Sequence, residues 1–171
     1  MKLSVLTAWA FAAIVLLTVG FAYADGSGDP KAVKSEDGEY FDKDGTPTFH
    51  IENDTVDWYT YSGYLRYGAN CLSCHGPDGL GSSYAPSLVD ALKTLNYGDF
   101  LATVAGGKKA VSNSQNLVMP AFGMNKNVMC YINPIYVYLR ARADGALGRQ
   151  RPDKHEPKPE AFSKAEDQCM G

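Results

Sequence analysis

Two cysteines and a histidine lie within the short stretch Cys71-Leu72-Ser73-Cys74-His75. Two thiols separated by two residues serve as a thioredoxin-like redox pair, as half of a zinc site, or as the attachment point of a c-type haem. A zinc site needs four nitrogen or sulfur ligands. The other two cysteines, Cys130 and Cys169, lie 39 residues apart with no paired histidines beside them. A thioredoxin-like pair accompanies a βαβ pattern, which the sequence does not contain.

The pattern C-x-x-C-H is typical of covalent haem attachment. Its spacing lets the thiols of Cys71 and Cys74 form thioethers with the vinyl groups of one porphyrin, and His75 can then bind the iron as an axial ligand. The sequence therefore predicts one covalently attached haem c. We also expect the backbone carbonyl of Pro86 to accept a hydrogen bond from Nδ1 of His75, which would fix the imidazole ring.

A second axial ligand is expected from a methionine further along the chain. Met119 is followed by Pro120, and proline biases the residue before it toward an extended backbone that can present the sulfur to the iron. A thioether opposite an imidazole favours ferrous iron and raises the reduction potential, which suits an electron carrier. Met124 and Met129 are alternatives of the same residue type, with Met124 the next candidate after Met119. A methionine is, however, more often a core residue than a ligand.

Two helices are predicted to position this site. Gly63, Tyr67 and Cys71 recur every four residues, which places them on one helical face. The partner helix is predicted over residues 134–143, between a proline that suits a first turn and a stop at Gly145. Because glycine has no side chain, Gly63 would allow the two helices to cross closely beside the haem. The alternative is two ordinary amphipathic helices that do not meet.

The N-terminal residues have the pattern of an export signal. A lysine near the start, an apolar run over about residues 8–19 and the sequence Ala22-Tyr23-Ala24 indicate a secretory signal peptide over residues 1–24. The alternative is an uncleaved anchor helix, since the apolar character lasts close to the roughly 20 residues that span a bilayer. Either way, the rest of the chain is expected outside the cytoplasm, where disulfides can persist.

Composition divides the remaining chain into three parts. Residues 25–57 are predicted to form an acidic linker and an aromatic arm, in which the turn sequence D-K-D-G between two apolar runs indicates a hairpin. Residues 58–145 carry the motifs and the helical patterns, and we interpret them as a haem domain. Residues 146–171 are expected to form an irregular tail, because the run "RQRPDKHEPKPE" disfavours regular structure.

No block of five like charges occurs, which argues against nucleic-acid binding.

The motifs together resemble those of class I c-type cytochromes. They are Gly63-x-x-x-Tyr67, Cys71-x-x-Cys74-His75-Gly76, Pro86 and Met119-Pro120. This resemblance implies an all-α fold with a single domain over residues 58–145, to which the N-terminal arm and the C-terminal tail are added.

A narrower resemblance is to the four-cysteine cytochromes of methanol metabolism, which are related to cytochrome cL. It is carried by "VDWYTYSGYLRYGANCLSCHGPDGLGSSYAPSL", "VMPAFGMNKNVMCYINPIYVYLRARADGALGRQRP" and the terminal Cys169. The resemblance implies a periplasmic carrier that accepts electrons from a methanol or alcohol dehydrogenase dependent on pyrroloquinoline quinone (PQQ). It also implies that the electrons pass to another c-type cytochrome or toward a terminal oxidase.

Cys130 and Cys169 are left over once the haem has taken two thiols. In an oxidising compartment an even pair suggests a disulfide, which here would tie the tail back to the start of the last helix. The alternative is a buried thiol at Cys130 and a free or intermolecular thiol at Cys169.

The sequence as a whole predicts an electron-transfer protein rather than an enzyme. Two other classes stay open at this point. One is a catalytic or gas-binding haem protein with a displaceable sixth ligand. The other is a cytochrome subunit of a membrane complex, anchored by an uncleaved N-terminal helix.

Overall fold

A computed structural model describes residues 28–111 and 116–171, and the predicted signal peptide lies outside them. The described residues form seven helices, none of which is long and apolar enough to cross a membrane. The helices are α1 (Trp58–Asn70), α2 (Leu72–His75), α3 (Leu88–Ala91), α4 (Tyr97–Gly106), α5 (Lys126–Met129), α6 (Ile132–Ala143) and α7 (Glu160–Met170).

Three small sheets accompany the helices, so the expectation of an all-α fold is only partly right. The strands are β1 (Lys34–Glu36), β2 (Glu39–Phe41), β3 (Pro47–Thr48), β4 (Ile51–Glu52), β5 (Thr55–Val56), β6 (Lys108–Val111), β7 (Asn116–Met119) and β8 (Lys154–His155). Their order is β1-β2-β3, β4-β5-β8 and β6-β7, and only the β5–β8 pair is parallel among those described. Strands of two to four residues are too short to show the alternation by which a sequence indicates a strand.

The crossing of α1 and α6 forms the centre of the molecule, as the sequence predicted. At Gly63 the two backbones approach so closely that an added Cβ would lie 1.9 Å from the carbonyl oxygen of Pro134. Around this contact lies a core of buried aromatic and aliphatic side chains, among them Tyr67, Ile135 and Leu139.

Helix α1 begins at a buried aspartate. The carboxylate of Asp57 accepts hydrogen bonds from the backbone N–H of Thr60 at 2.8 Å and from its hydroxyl. It also accepts from the backbone N–H of His50 at 2.8 Å. An N-cap of this kind satisfies backbone donors that have no partner inside the helix. The same carboxylate therefore fixes both the start of α1 and the arm that precedes it.

The N-terminal arm contains the hairpin that the D-K-D-G sequence predicts, and the arm packs on α6. Antiparallel strands β2 and β3 flank the turn, whose backbone N–H groups at Asp44 and Thr46 bond to Asp42 Oδ1 at 2.9 Å each. The buried guanidinium of Arg140 on α6 donates to Asp42 Oδ2 at 2.9 Å and to the carbonyl of Pro47 at 3.1 Å. This buried ion pair anchors the arm to the helical core.

The expectation of an irregular tail is wrong for its second half. Prolines end at Pro159, and the eleven residues that follow contain neither proline nor glycine and form helix α7. The predicted disulfide between Cys130 and Cys169 is present, with a Cα–Cα distance of 5.7 Å. Phe162 of α7 is buried against the rings of Trp58 and Tyr59 on α1. The tail is therefore a packed element of the fold.

Candidate haem-binding site

The two cysteines of the C-x-x-C-H motif lie on a short turn between helices. Cys71 ends α1, with its backbone N–H bonded to the carbonyl of Tyr67 at 2.8 Å, and α2 begins at the next residue. Cys71 is half-buried, Cys74 is exposed, and neither takes part in the disulfide. This arrangement leaves both sulfur atoms available for thioether bonds.

The environment of Cys71 does not suit a redox-active thiol. Burial, followed by the neighbouring Cys74, raises the pKa of the Cys71 thiol to about 11. Thiol–disulfide exchange requires a thiolate, and reactive cysteines have lowered pKa values. A thioredoxin-like function for the pair is therefore disfavoured by the structure as well as by the sequence.

His75 is buried and its ring is oriented by the main chain. Nδ1 lies 3.0 Å from the carbonyl oxygen of Pro86, as the sequence predicted. Because a carbonyl can only accept a hydrogen bond, Nδ1 carries the proton and the lone pair lies on Nε2. This is the tautomer that a histidine needs to bind a metal through Nε2.

Of the three candidate methionines, Met119 has the most suitable environment. It is the last residue of β7, half-buried and packed against the core. Met124, the second candidate, is 98% exposed, whereas Met129 lies on α5 next to the disulfide cysteine Cys130 and packs against the core. Met119 therefore stays the predicted sixth ligand.

The chain around the motif also carries apolar side chains that lie uncovered. Leu80 is 45% exposed and Tyr84 is 73% exposed. A bound porphyrin would supply apolar surface for such side chains. With two cysteines outside the disulfide and an oriented imidazole, the residues present fit a covalently attached haem.

Comparisons with known proteins identify the family. The chain is 53% identical over 136 residues to cytochrome c-553I of Paracoccus denitrificans, an alignment that covers 79% of this chain and 60% of that protein. It is 37% identical over 93 residues to cytochrome c-555 of Methylococcus capsulatus, covering 54% of this chain and 69% of that protein. The crystal structure of c-type cytochrome XoxG from Methylobacterium extorquens AM1 is 54% identical, with a TM-score of 0.75, and the match covers 86% of this chain and 99% of that chain. This chain belongs to the c-type cytochromes.

The family fixes the general chemistry of this cytochrome. As a c-type cytochrome it is an electron carrier, and its haem is covalently attached. It spans 60% of the length of cytochrome c-553I. No protein-family model matches the chain.

Two residues beside the motif of the cytochrome were not predicted as part of its site. The hydroxyl of Tyr67 donates to the carbonyl of Gly76, and the hydroxyl of Ser82 donates to the carbonyl of Cys74, each at 2.5 Å. The spacing of Tyr67 indicated only a helical face. Nothing in the sequence pointed to Ser82, because its contact depends on the path of the loop after His75.

Proposed function

We propose that this cytochrome is a periplasmic single-haem electron carrier. It accepts single electrons from a PQQ-dependent methanol or alcohol dehydrogenase and passes them to another c-type cytochrome or toward a terminal oxidase. The observation that carries the electron-carrier part of the proposal is the His75 imidazole, which is buried and held by the Pro86 carbonyl at 3.0 Å with Nε2 left for the iron.

In this proposal each residue of the site has one task. Cys71 and Cys74 would hold the haem through thioethers, and His75 and Met119 would bind its iron. The bound haem supplies reversible one-electron chemistry. With both residues bound to the iron, no ligand position would be open to a substrate or a gas, which favours electron transfer over catalysis.

The structure supports an approach of partner proteins at the attachment turn. Leu72, between the two cysteines, is 39% exposed. The attachment turn would therefore lie at the molecular surface. A partner that contacts this surface comes close to the haem without entering the protein.

The assignment of the electron donor rests on the resemblance of the chain to the four-cysteine cytochromes of methanol metabolism. Two features that go with an exported protein agree with the periplasmic location: the predicted signal peptide and the Cys130–Cys169 disulfide. If the signal is cleaved, the mature cytochrome has no stable insertion in the membrane.

The experiment that tests this proposal is a reduction assay with the purified holoprotein. The ferric cytochrome is mixed with a PQQ-dependent methanol dehydrogenase and methanol, and haem reduction is followed by stopped-flow absorbance. We expect rapid reduction, at least as fast as that of a mitochondrial-type cytochrome c used as the control. If only the control is reduced, the assigned donor is wrong, while the electron-carrier function stands.

A further inference from the structure

We propose that Tyr67 and Ser82 are positioning residues that hold the haem-attachment turn on both sides of His75. The proposal rests on His75 being the haem ligand, as proposed above. It assigns to the two hydroxyl groups the task of keeping the His75 backbone, and with it the imidazole ring, in a fixed direction.

Three successive carbonyl groups around His75 accept hydrogen bonds from outside the turn. The carbonyl of Cys74 accepts from the Ser82 hydroxyl and that of Gly76 from the Tyr67 hydroxyl, each at 2.5 Å. Between them, the carbonyl of His75 accepts from the backbone N–H of Gly81 at 2.8 Å. Carbonyls at the end of a helix such as α2 have no partner within the helix. Their satisfaction here fixes the backbone immediately before and after the ligand.

Tyr67 reaches the turn from the helical core. Its side chain is 1% exposed, and its ring centroid lies 5.4 Å from that of Tyr138 on α6. The hydroxyl therefore comes from a rigid position set by the crossing of α1 and α6. Through this bond the central helix pair of the molecule is connected directly to the carbonyl of Gly76.

Ser82 contacts the turn from the loop that follows His75. Its hydroxyl accepts the backbone N–H of Tyr84 at 2.9 Å while it donates to the carbonyl of Cys74. Its own backbone N–H bonds to the carbonyl of Ala85 at 2.9 Å. Ser82 thus ties a compact loop to the residue before His75.

The same loop also touches the group that holds the imidazole. Gly81 has a positive φ of +87°, and an added Cβ would lie 2.7 Å from the nitrogen of Ser87 and 2.9 Å from the carbonyl carbon of Pro86. The carbonyl oxygen of Pro86 is the partner of His75 Nδ1 at 3.0 Å. One short segment therefore fixes the backbone of His75 and the acceptor of its ring. Loss of either hydroxyl should let the bond between His75 and Pro86 open more often.

The test compares two pairs of matched variants of the holoprotein. Y67F and S82A each remove one of the two hydroxyl groups. Y136F removes a buried hydroxyl in the same core that has no hydrogen-bond partner within residues 28–111 and 116–171. S83A removes the exposed hydroxyl next to Ser82. The measurement is the solvent-exchange rate of the His75 Nδ1 proton by NMR, with the Leu139 amide proton of α6 as internal reference.

We expect the His75 Nδ1 proton to exchange about fivefold faster or more in Y67F and in S82A. Loss of one hydrogen bond of typical strength changes an opening equilibrium by about this factor. The Leu139 amide should be unchanged, and Y136F and S83A should match the wild type. Equal rates in all five proteins would overturn the inference. So would an equal acceleration at His75 and Leu139, which indicates general destabilisation. If the His75 ring of the ferric wild type shows no hyperfine shift, the haem ligation itself is refuted and this inference with it.

Discussion

At the residue scale, five consecutive residues contain both thiols and the imidazole of the C-x-x-C-H motif, and α2 places them on a single turn. Because the chemistry of the motif depends on local spacing, it could be interpreted from the sequence. The contact between His75 and Pro86 was also predictable from position. The hydroxyl groups of Tyr67 and Ser82 were not, since their bonds depend on how the helix and the loop close around the turn.

The assignment of the thioethers predicts which cysteines retain the haem. In a C71S/C74S variant, acid–acetone extraction should remove all haem, because no covalent bond holds it. In a C130S/C169S variant the haem should stay with the protein, since these cysteines form the disulfide. Absorbance of the extracted and protein fractions measures both results. Retention of haem by C71S/C74S would contradict the assignment.

At the element scale, the crossing of α1 and α6 was predictable because glycine spacing and helical periodicity are strong signals. The short strands were not, and neither was α7. In the tail, the prolines at positions 152, 157 and 159 indicate irregular structure, but they all precede the helix. The β4–β5 turn contains Asn53 and Asp54, both with positive φ. Such a turn is a recognisable hairpin signal only when longer strands flank it.

Gly63 is predicted to be indispensable to the helix crossing. G63A places a methyl group 1.9 Å from the carbonyl oxygen of Pro134, so the two helices must move apart, at a cost of about 3 kcal/mol in the free energy of unfolding. G68A is the matched control, because Gly68 lies on the same helix and an added Cβ meets no atom within 4 Å. The control should be neutral or stabilising by up to about 1 kcal/mol. Urea unfolding followed by circular dichroism measures both, and equal stabilities would contradict the close crossing.

Glu166 on α7 is predicted to make the docking of the tail depend on pH. Its carboxylate accepts hydrogen bonds from Lys158, from the Tyr131 hydroxyl and from Arg66, the last at 3.0 Å. The Lys158 hydrogen bond, followed by that of Tyr131, holds the pKa of Glu166 below its usual range. A carboxyl group whose pKa is lowered by folding stabilises the protein above its unfolded pKa, and this contribution is lost as the pH falls through the folded pKa.

The E166Q variant should therefore be less stable than the wild type at pH 7, by about 1 kcal/mol. The difference should shrink in acid, below the lowered folded pKa of Glu166, where the carboxyl is protonated. E160Q is the control, since Glu160 on the same helix is exposed and pairs only with Lys164 among the described residues. Urea unfolding at pH 7 and in acid tests this. A difference that is the same at both pH values would mean that the charge of Glu166 does not stabilise the docked tail.

At the scale of the whole molecule, the arm and the tail are parts of one folded unit with the haem domain. Arg140 anchors the arm through a buried ion pair with Asp42, and the disulfide and Phe162 anchor the tail. The sequence indicated the disulfide, because two cysteines remain after haem attachment and the chain is expected outside the cytoplasm. The Arg140 anchor could not be predicted, because it joins residues 98 positions apart that carry no shared pattern.

The Cys130–Cys169 disulfide should contribute strongly to stability. A C130S/C169S variant is expected to lose roughly 3 to 4 kcal/mol of unfolding free energy, because the unfolded chain regains the freedom of a closed loop. Dithiothreitol should cause the same loss in the wild type, because it reduces the disulfide. It does not cleave the thioethers that hold the haem. A loss below about 1 kcal/mol in the variant would show that packing of α7 alone holds the tail.

The ferric absorption spectrum tests most directly that the iron is held between His75 and Met119. The weak long-wavelength band of methionine–iron ligation should be present in the wild type. It should also be present in M124L, because the Met124 side chain is 98% exposed. It should be absent in M119L, and only that variant should bind carbon monoxide readily in the ferrous state. A band that persists in M119L, or that disappears in M124L, would contradict the proposed ligation.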